Sequence, residues 1–473
     1  MRVNRAWLGL AVLMLPTSIV AMDMTALLLA LPRLSADLGA SSAEQLWISD
    51  SYGLMVAGLV ITMGTLGDRI GRRRLLLTGA AAFAVLSVAA AFAAGPLTLI
   101  VVRALLGVAG ATLAPSTLAL ITNMFRDERQ RGQAIAIWAS CQFTGGALGP
   151  VLAGLLLQYF WWGSVFLAAV PAMAVLLLAG PVLLPEFRGD RAGRLEPASV
   201  GLSLVSVLLL VHGIKQLSLQ GAPAAAAAAL VGGAVVGALF VRRQLRLPVP
   251  LLDLRLLRSR PLTAVLVALV LAGVAMAGTG LVVTQYLQSV LGHSPLASAV
   301  LFAPMGLGVA AGTLTAPLLA RRIRHTTAIA GGLAASALGS LLLTGVHGKL
   351  ALPLLMTGIA FLALGTGPLF ALGTGLVVGS VPPERAGSAA SMSETGNYTA
   401  ARSASHCSVC WPPWSTATAP TARPTHWPAR SRRAGVFRPT GERNCCTPRA
   451  RRSPRACTPS VSPPPSSSLP SPY

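Results

Sequence analysis

The chain has 473 residues, 54% of them hydrophobic and only 11% charged, and its mean hydropathy is +0.68. That balance is beyond what a soluble core needs, excludes a water-soluble globular fold and points to an all-α polytopic membrane protein. The formal net charge of +23 would suggest nucleic acid in a soluble protein, but most of the arginines here sit in short segments between apolar runs, so no nucleic-acid partner is expected.

Apolar runs follow one another from the start: 7–32, 46–66, 75–94, 96–122, 133–157, 160–184, 199–217, 222–241, 263–290, 295–320, 326–346 and 350–380. Each is long enough to cross about 30 Å of hydrocarbon as a helix, and none shows the alternation of a β-barrel strand. The first run is too long for a signal peptide, and no small-residue cleavage site precedes a soluble domain. With the N-terminus in the cytoplasm, 22 arginines fall on the cytoplasmic side, while the other side carries Arg33, Lys215 and Lys349. The positive-inside rule therefore fixes the orientation. Six spans precede residue 185. Spans seven and eight form a central pair, and a basic, proline-broken segment at 242–262 leads along the anionic leaflet to a second bundle. The expected organisation is a six-helix bundle at 1–185, the central pair and linker at 186–261, a partial second bundle at 262–398 and a tail at 399–473. Gly312-Thr313-Leu314 followed by arginines repeats Gly64-Thr65-Leu66 and its arginines at the matching place in the other bundle.

The composition breaks at residue 399. From there to Tyr473 the chain is rich in Pro, Ser, Thr, Arg and Ala, with eleven arginines, one acid (Glu442) and five of the six cysteines. Reading residues 399–417 one frame over permits the apolar stretch GGALGIALLGVLATVVYR, a span ending in arginine. The tail is therefore expected to be a disordered basic segment produced by a frameshift after Tyr398, leaving the last two spans missing. The same reading removes the metal or redox meaning of His406, Cys407 and Cys410, and of Cys445 and Cys446. No metal site and no cofactor is expected. Cys141, inside a span, is expected to be a small packing residue.

Several polar or small residues inside the spans carry chemistry. The stretch GTLGDRIGRRR, residues 64–74, reads as a short cytoplasmic turn: Gly64 and Gly67 let span two approach a neighbour, Gly71 permits the turn, and Asp68 has Arg69 and Arg72 to Arg74 as partners. Either the cluster is a latch or Asp68 is solvated. Arg103 lies in mid span four, where a charge costs several kcal/mol and needs a reason, such as helix-end carbonyls to bind. Asp23 is the only acid well inside an N-terminal span, and it is either a proton or cation site or a capped carboxylate near the outer end. Gly145, Gly149 and Gly154 with Pro150 allow close packing and a kink in span five. Asp50 and Gln45 are expected to be exposed near the outer end of span two, and His212 to be packed or interfacial. No Walker loop and no nucleophile elbow is present, so neither ATP hydrolysis nor an enzyme is expected.

The 64–74 stretch resembles the loop 2–3 signature of the major facilitator superfamily. Arg103, Gly107 and Gly110 are similar to its span-four pattern, and residues 145–154 to the span-five pattern of its exporters. MDMTALLLALPRL with Asp23 resembles the span-one signature of the fourteen-span drug:proton antiporters. YFWWGSVFLAAVP (159–171), TQYLQSVLGHSPLASA (284–299) and PPERAGSAASMSETGN (382–397) also resemble that branch, and the likeness runs from residue 5 to about 398. The resemblance implies a two-bundle fold with a central pair of extra helices in the cell membrane, and a monomer exporting lipophilic, cationic drugs or antibiotics in exchange for protons. It implies proton coupling through Asp23, Arg103 and Glu394, a conformational switch at Gly64, Gly67, Asp68, Arg69, Gly71 and Arg72, and a leak-sealing role for Gly145, Gly149, Pro150 and Gly154. The alternative is an inactive, truncated remnant of such an exporter.

Overall fold

The computed structural model describes residues 2–188, 196–218, 223–247, 259–346 and 351–379, and every regular element among them is helical. In a bilayer, helices satisfy their own backbone, so what remains to be explained is where each begins and how it packs. Helix α1 (Arg2–Leu38) is tied at both ends: the Arg5 guanidinium donates to the Val182 carbonyl and that of Arg33 to the Leu157 carbonyl. Helix α2 (Ser42–Ile70) opens on a capping box, in which the Ser41 hydroxyl accepts the Glu44 amide and the Glu44 carboxylate accepts the Ser41 amide at 2.8 Å. Helix α3 (Arg72–Ala91) follows after a single residue, so the expected turn at 64–74 is mostly helix and only Gly71 lies outside it. Helix α4 (Pro96–Met124) starts with proline in its first turn, and α5 (Glu128–Tyr159) with Asp127 accepting the Gln130 amide at 2.8 Å. The sixth apolar run is divided into α6 (Ser164–Leu167) and α7 (Ala169–Leu183).

Helices α8 (Pro197–Ser218) and α9 (Pro223–Arg246) form a pair packed through glycines. A Cβ on Gly213 would lie 2.9 Å from the Leu230 amide nitrogen, and one on Gly233 equally close to that of Leu210. The ends of the pair are joined by Glu196 and Arg243 at 2.9 Å, and α8 rests on α2 where Leu204 meets Gly58. Then come α10 (Arg260–Gln285) with a π-helical turn at Tyr286–Val290, α11 (Pro295–Leu319), α12 (His325–Thr344), and α13 (Ala351–Pro368), which continues through a buried π-helical turn at Leu369–Gly373 into α14 (Thr374–Gly379). Within the stretch 284–299, Gly292 supplies a positive φ of 68° and the Ser294 hydroxyl accepts the Ala297 amide at 3.2 Å, which explains its Gly-His-Ser break.

Among the described residues, eleven helices are long and apolar enough to cross a membrane; α8 contributes a shorter apolar stretch, Pro197–Gly213. One hydrophobic core is built from α1 to α7 around Leu13, Leu34, Ile48, Tyr52, Phe83 and Leu106, and a second from α10, α11, α13 and the π turn around Leu287, Val309, Ile359 and Leu369. Helix α5 touches both, with Phe143 against Phe370 at a ring separation of 4.8 Å. Glu394, most of the basic linker and the whole tail lie outside the described residues.

Candidate functional site

Asp23 and Arg103, 80 positions apart, form an ion pair in which the arginine is fully buried and the aspartate partly so. Arg103 Nη1 lies 2.6 Å from Asp23 Oδ2, and the arginine side chain is 1% exposed, the aspartate 12%. The guanidinium has further company: Nε donates to the Ile48 carbonyl at 3.3 Å, and the group stands 4.8 Å from the Tyr52 ring centre and 5.8 Å from that of Phe166. A planar, delocalised cation is suited to pairing on its edge and stacking on its faces, which compensates its removal from water. The carbonyl that Arg103 binds belongs to Ile48, inside α2 and not at a helix end. The acid was not anticipated as its partner, since nothing in the spacing links them.

The spacing Arg103, Gly107, Gly110 keeps one face of α4 open to α2. A Cβ on Gly107 would lie 2.8 Å from the Met55 Cβ and 3.1 Å from the Tyr52 carbonyl carbon, and one on Gly110 2.7 Å from the Tyr52 hydroxyl. The two glycines thus let Tyr52 reach the place where its ring meets the guanidinium. Tyr52 and Phe166 were missed by sequence reasoning, although Phe166 belongs to the 159–171 stretch already singled out.

The glycines of α5 do the corresponding job against α1. A Cβ on Gly145 would lie 2.6 Å from the Ser18 carbonyl oxygen and one on Gly149 2.8 Å from that of Met22, so the two backbones meet one turn below Asp23 and beside it. Gly154 faces Leu29 and, from α11, Leu296. Pro150 is inside α5, which continues through it. Asp23 lines a small cleft with Met22, Gly149, Leu152, Val165 and Ala168. Cys141 is a free thiol beside the Ser18 hydroxyl at 2.8 Å.

At the arginine-rich face, Asp68 and Arg72 are ion-paired and buried, so the aspartate is not solvated. Gly64 is buried and Arg69 exposed, while Gly67 leaves room for Leu75. The first amides of α3 are satisfied by the segment after α7: Arg72 N donates to the Phe187 carbonyl at 3.1 Å and Arg73 N to Glu186 Oε1 at 3.1 Å. The Glu186 carboxylate also lies 3.6 Å from Arg73 Nε and 3.9 Å from Arg74 Nε. A negative charge at a helix N-terminus beside two arginines is doubly favoured. Glu186 was not foreseen; the available signal was an acid directly after the sixth span, within reach of a basic turn.

Gly71 has φ 109°, and a Cβ there would lie 2.8 Å from the Glu186 carboxyl carbon, whereas Gly39, with φ 65°, has nothing within 4 Å. Gly71→Ala is therefore expected to lower the thermal midpoint of the solubilised protein well beyond the loss caused by Gly39→Ala, whose cost is the left-handed backbone alone, about 1 kcal/mol. Equal losses at the two positions would contradict the clamp by Glu186.

One expectation is corrected outright. Asp50 is buried, at 6% exposure, because α2 packs along its length on α4 and position 50 faces inward; closeness to a helix end says nothing about the face. Gln45 is half-buried, donating to the Ala40 carbonyl at 3.1 Å, and His212 is exposed on α8. Among the described residues, no group of three or more His, Cys, Asp or Glu could hold a metal ion.

Residues 13–404 match the family model described as Major Facilitator Superfamily. The chain is 44% identical over 392 residues to the multidrug efflux pump LfrA of Mycolicibacterium smegmatis, covering 83% of this chain and 78% of that one. It is 38% identical to the methyl viologen resistance protein SmvA of Salmonella typhimurium (71% and 68% covered) and 32% identical to the puromycin resistance protein pur8 of Streptomyces alboniger (82% and 78%). The human organic anion transporter MFSD10 shares the fold, with a TM-score of 0.60 at 17% identity over 86% of this chain and 94% of that one. Sequence and fold agree: this multi-pass membrane protein belongs to the major facilitator superfamily.

Proposed function

We propose that the chain is a secondary transporter of the cell membrane that exports lipophilic, cationic drugs or antibiotics in exchange for protons, with its N-terminus and arginine-rich face in the cytoplasm. The observation that carries this reading is the buried Asp23–Arg103 pair, in a chain 44% identical to a multidrug efflux pump. A proton on the Asp23 carboxylate cancels its charge and weakens its hold on Arg103, which keeps the Ile48 carbonyl and two aromatic rings as partners. A lipophilic cation competes with that proton for the same carboxylate. Coupling follows because proton and substrate are not held together. Residues 1–185 and 262–398 would act as two bundles rocking about the substrate, with 186–261 as an accessory pair and linker. The Asp68–Arg72 pair, held at its turn by Glu186, would bias the equilibrium between the inward- and outward-open states. Gly145, Gly149, Pro150 and Gly154 would keep α5 sealed on α1 during exchange. Glu394 is proposed to be a further acid of the proton path. The protein is proposed to act as a monomer among anionic lipids.

The test is accumulation of a fluorescent quaternary ammonium dye in a host lacking its own pumps. Expression should lower accumulation, and a protonophore should abolish the difference; a difference that survives the protonophore would overturn proton coupling. The composition break at residue 399 favours a second reading, an inactive remnant, for which expression has no effect on any dye.

A further inference from the structure

Helices α5 and α11 run antiparallel with small residues facing one another. In order along the seam, Gly154 meets Leu296, Ala147 meets Gly306, Ser140 meets Ala310 and Thr313, and Ala136 clusters with Ala316. This is a seam between the two hydrophobic cores, and at one place it is polar. Ser140 and Thr313 are both buried, at 5% and 0% exposure, and their hydroxyls are hydrogen-bonded to each other. Thr313 Oγ1 donates to the Ala310 carbonyl of its own helix at 2.7 Å, which leaves its oxygen as acceptor for the Ser140 proton. Ser140 Oγ also lies 3.0 Å from the Ala310 carbonyl oxygen and 2.7 Å from that of Ala136. Its proton therefore has acceptors on either helix, and neither helix backbone needs these hydroxyls for its own ladder.

We infer that Ser140 and Thr313 form a latch that holds the half of the seam nearer the arginine-rich face closed, and that this hydrogen bond breaks when the protein opens to that face. The apolar pairs on either side have no directional bond, so they part and rejoin without leaving a polar group unpaired. The hydroxyl pair has a preferred geometry, and separation moves the Ser140 proton from Thr313 to the Ala136 carbonyl of its own helix. The two residues are positioning residues: they set the population of the closed seam and touch no substrate. The purpose of the latch rests on the alternating-access reading above, but the seam equilibrium is measured without transport.

The experiment uses the full chain in lipid nanodiscs with its six native cysteines replaced by serine and one reporter, Ala316→Cys, which is buried in the seam at 0% exposure. The rate of modification by a hydrophilic maleimide reads how often the seam opens. Thr313→Val keeps the shape and removes the acceptor, and should raise the rate about threefold, the shift that one interhelical hydrogen bond in a bilayer supports. Ser140→Ala, which also removes the contact to the Ala310 carbonyl, should raise it at least as much, and the double variant no more than Ser140→Ala, because that change alone already breaks the bond to Thr313. A reporter at Ala80→Cys on α3, equally buried but away from the seam, should keep its rate. If Ala316→Cys fails to fold, Ala136→Cys reports from the other side of the seam. An unchanged seam rate in Thr313→Val, additive effects of the two variants, or an equal rise at Ala80→Cys would overturn the latch. A chain that responds as expected but moves no dye would leave the latch standing and sink the export reading.

Discussion

Arg103→Met is expected to yield little folded protein, while Asp23→Asn added to it restores the yield and leaves transport absent. The argument is electrostatic. Removing the guanidinium strands the carboxylate in a medium that hydrates it poorly, at a cost of about 3–5 kcal/mol, whereas replacing both leaves two neutral side chains that pack; Asp23→Asn alone leaves Arg103 the Ile48 carbonyl and two aromatic rings. The Asp23 carboxylate has Arg103 as its ion-pair partner at 2.6 Å, so the loss of the guanidinium is felt in full. Arg103 also fills the space above Tyr52 and beside Phe166, and methionine is chosen because its long, flexible side chain occupies much of that volume. Monodisperse protein after solubilisation, measured by size-exclusion fluorescence of a fused reporter, separates the two variants from each other and from the unaltered chain. Equal yields for Arg103→Met and for the double variant would mean that Asp23 does not need its partner and that the pair is incidental.

The second large effect concerns the end of the chain. Restoring the alternative frame after Tyr398 is expected to convert a chain that moves little dye into an exporter. The written tail carries eleven arginines and one acid, and each arginine costs several kcal/mol at the centre of a bilayer, so no span is expected from residues 399–473. The alternative frame supplies one at once, GGALGIALLGVLATVVYR, directly after Tyr398. Resequencing the DNA around codon 398 and comparing dye efflux by the two versions decides the matter. Full efflux by the written chain, with the tail confirmed by peptide mapping, would mean that the tail has a function of its own.

The parts legible in the sequence are those that depend on local composition. Apolar length located the helices, and the singled-out glycines stand at close contacts: Gly145 and Gly149 against the α1 backbone, Gly71 against the Glu186 carboxylate and Gly154 against the Leu296 side chain. What could not be read is which residues from distant segments meet. Asp23 and Arg103 were both singled out, each because a charge in a span needs a reason, but that each is the other's reason depends on how α1 packs on α4. The same holds for Tyr52 and Phe166 under the guanidinium, for Glu186 at the start of α3 and for Ser140 against Thr313. Asp50 was misread because helical phase, unlike helix length, is poorly marked when nearly every residue is apolar. In a soluble helix a polar stripe would have shown which way position 50 faces; in a bilayer both faces of α2 are hydrophobic.

The central claim, that a proton and a cationic drug exchange through Asp23, is tested most directly in everted membrane vesicles acidified inside by respiration, with an acridine dye reporting the proton gradient. In vesicles carrying the frame-restored protein, adding a quaternary ammonium substrate should let protons out as the substrate enters, seen as recovery of the acridine fluorescence. Asp23→Asn, present in the same amount, should give no recovery, because it keeps the shape of the side chain and removes the charge that proton and drug compete for. Recovery of the same size and rate in Asp23→Asn would contradict the account.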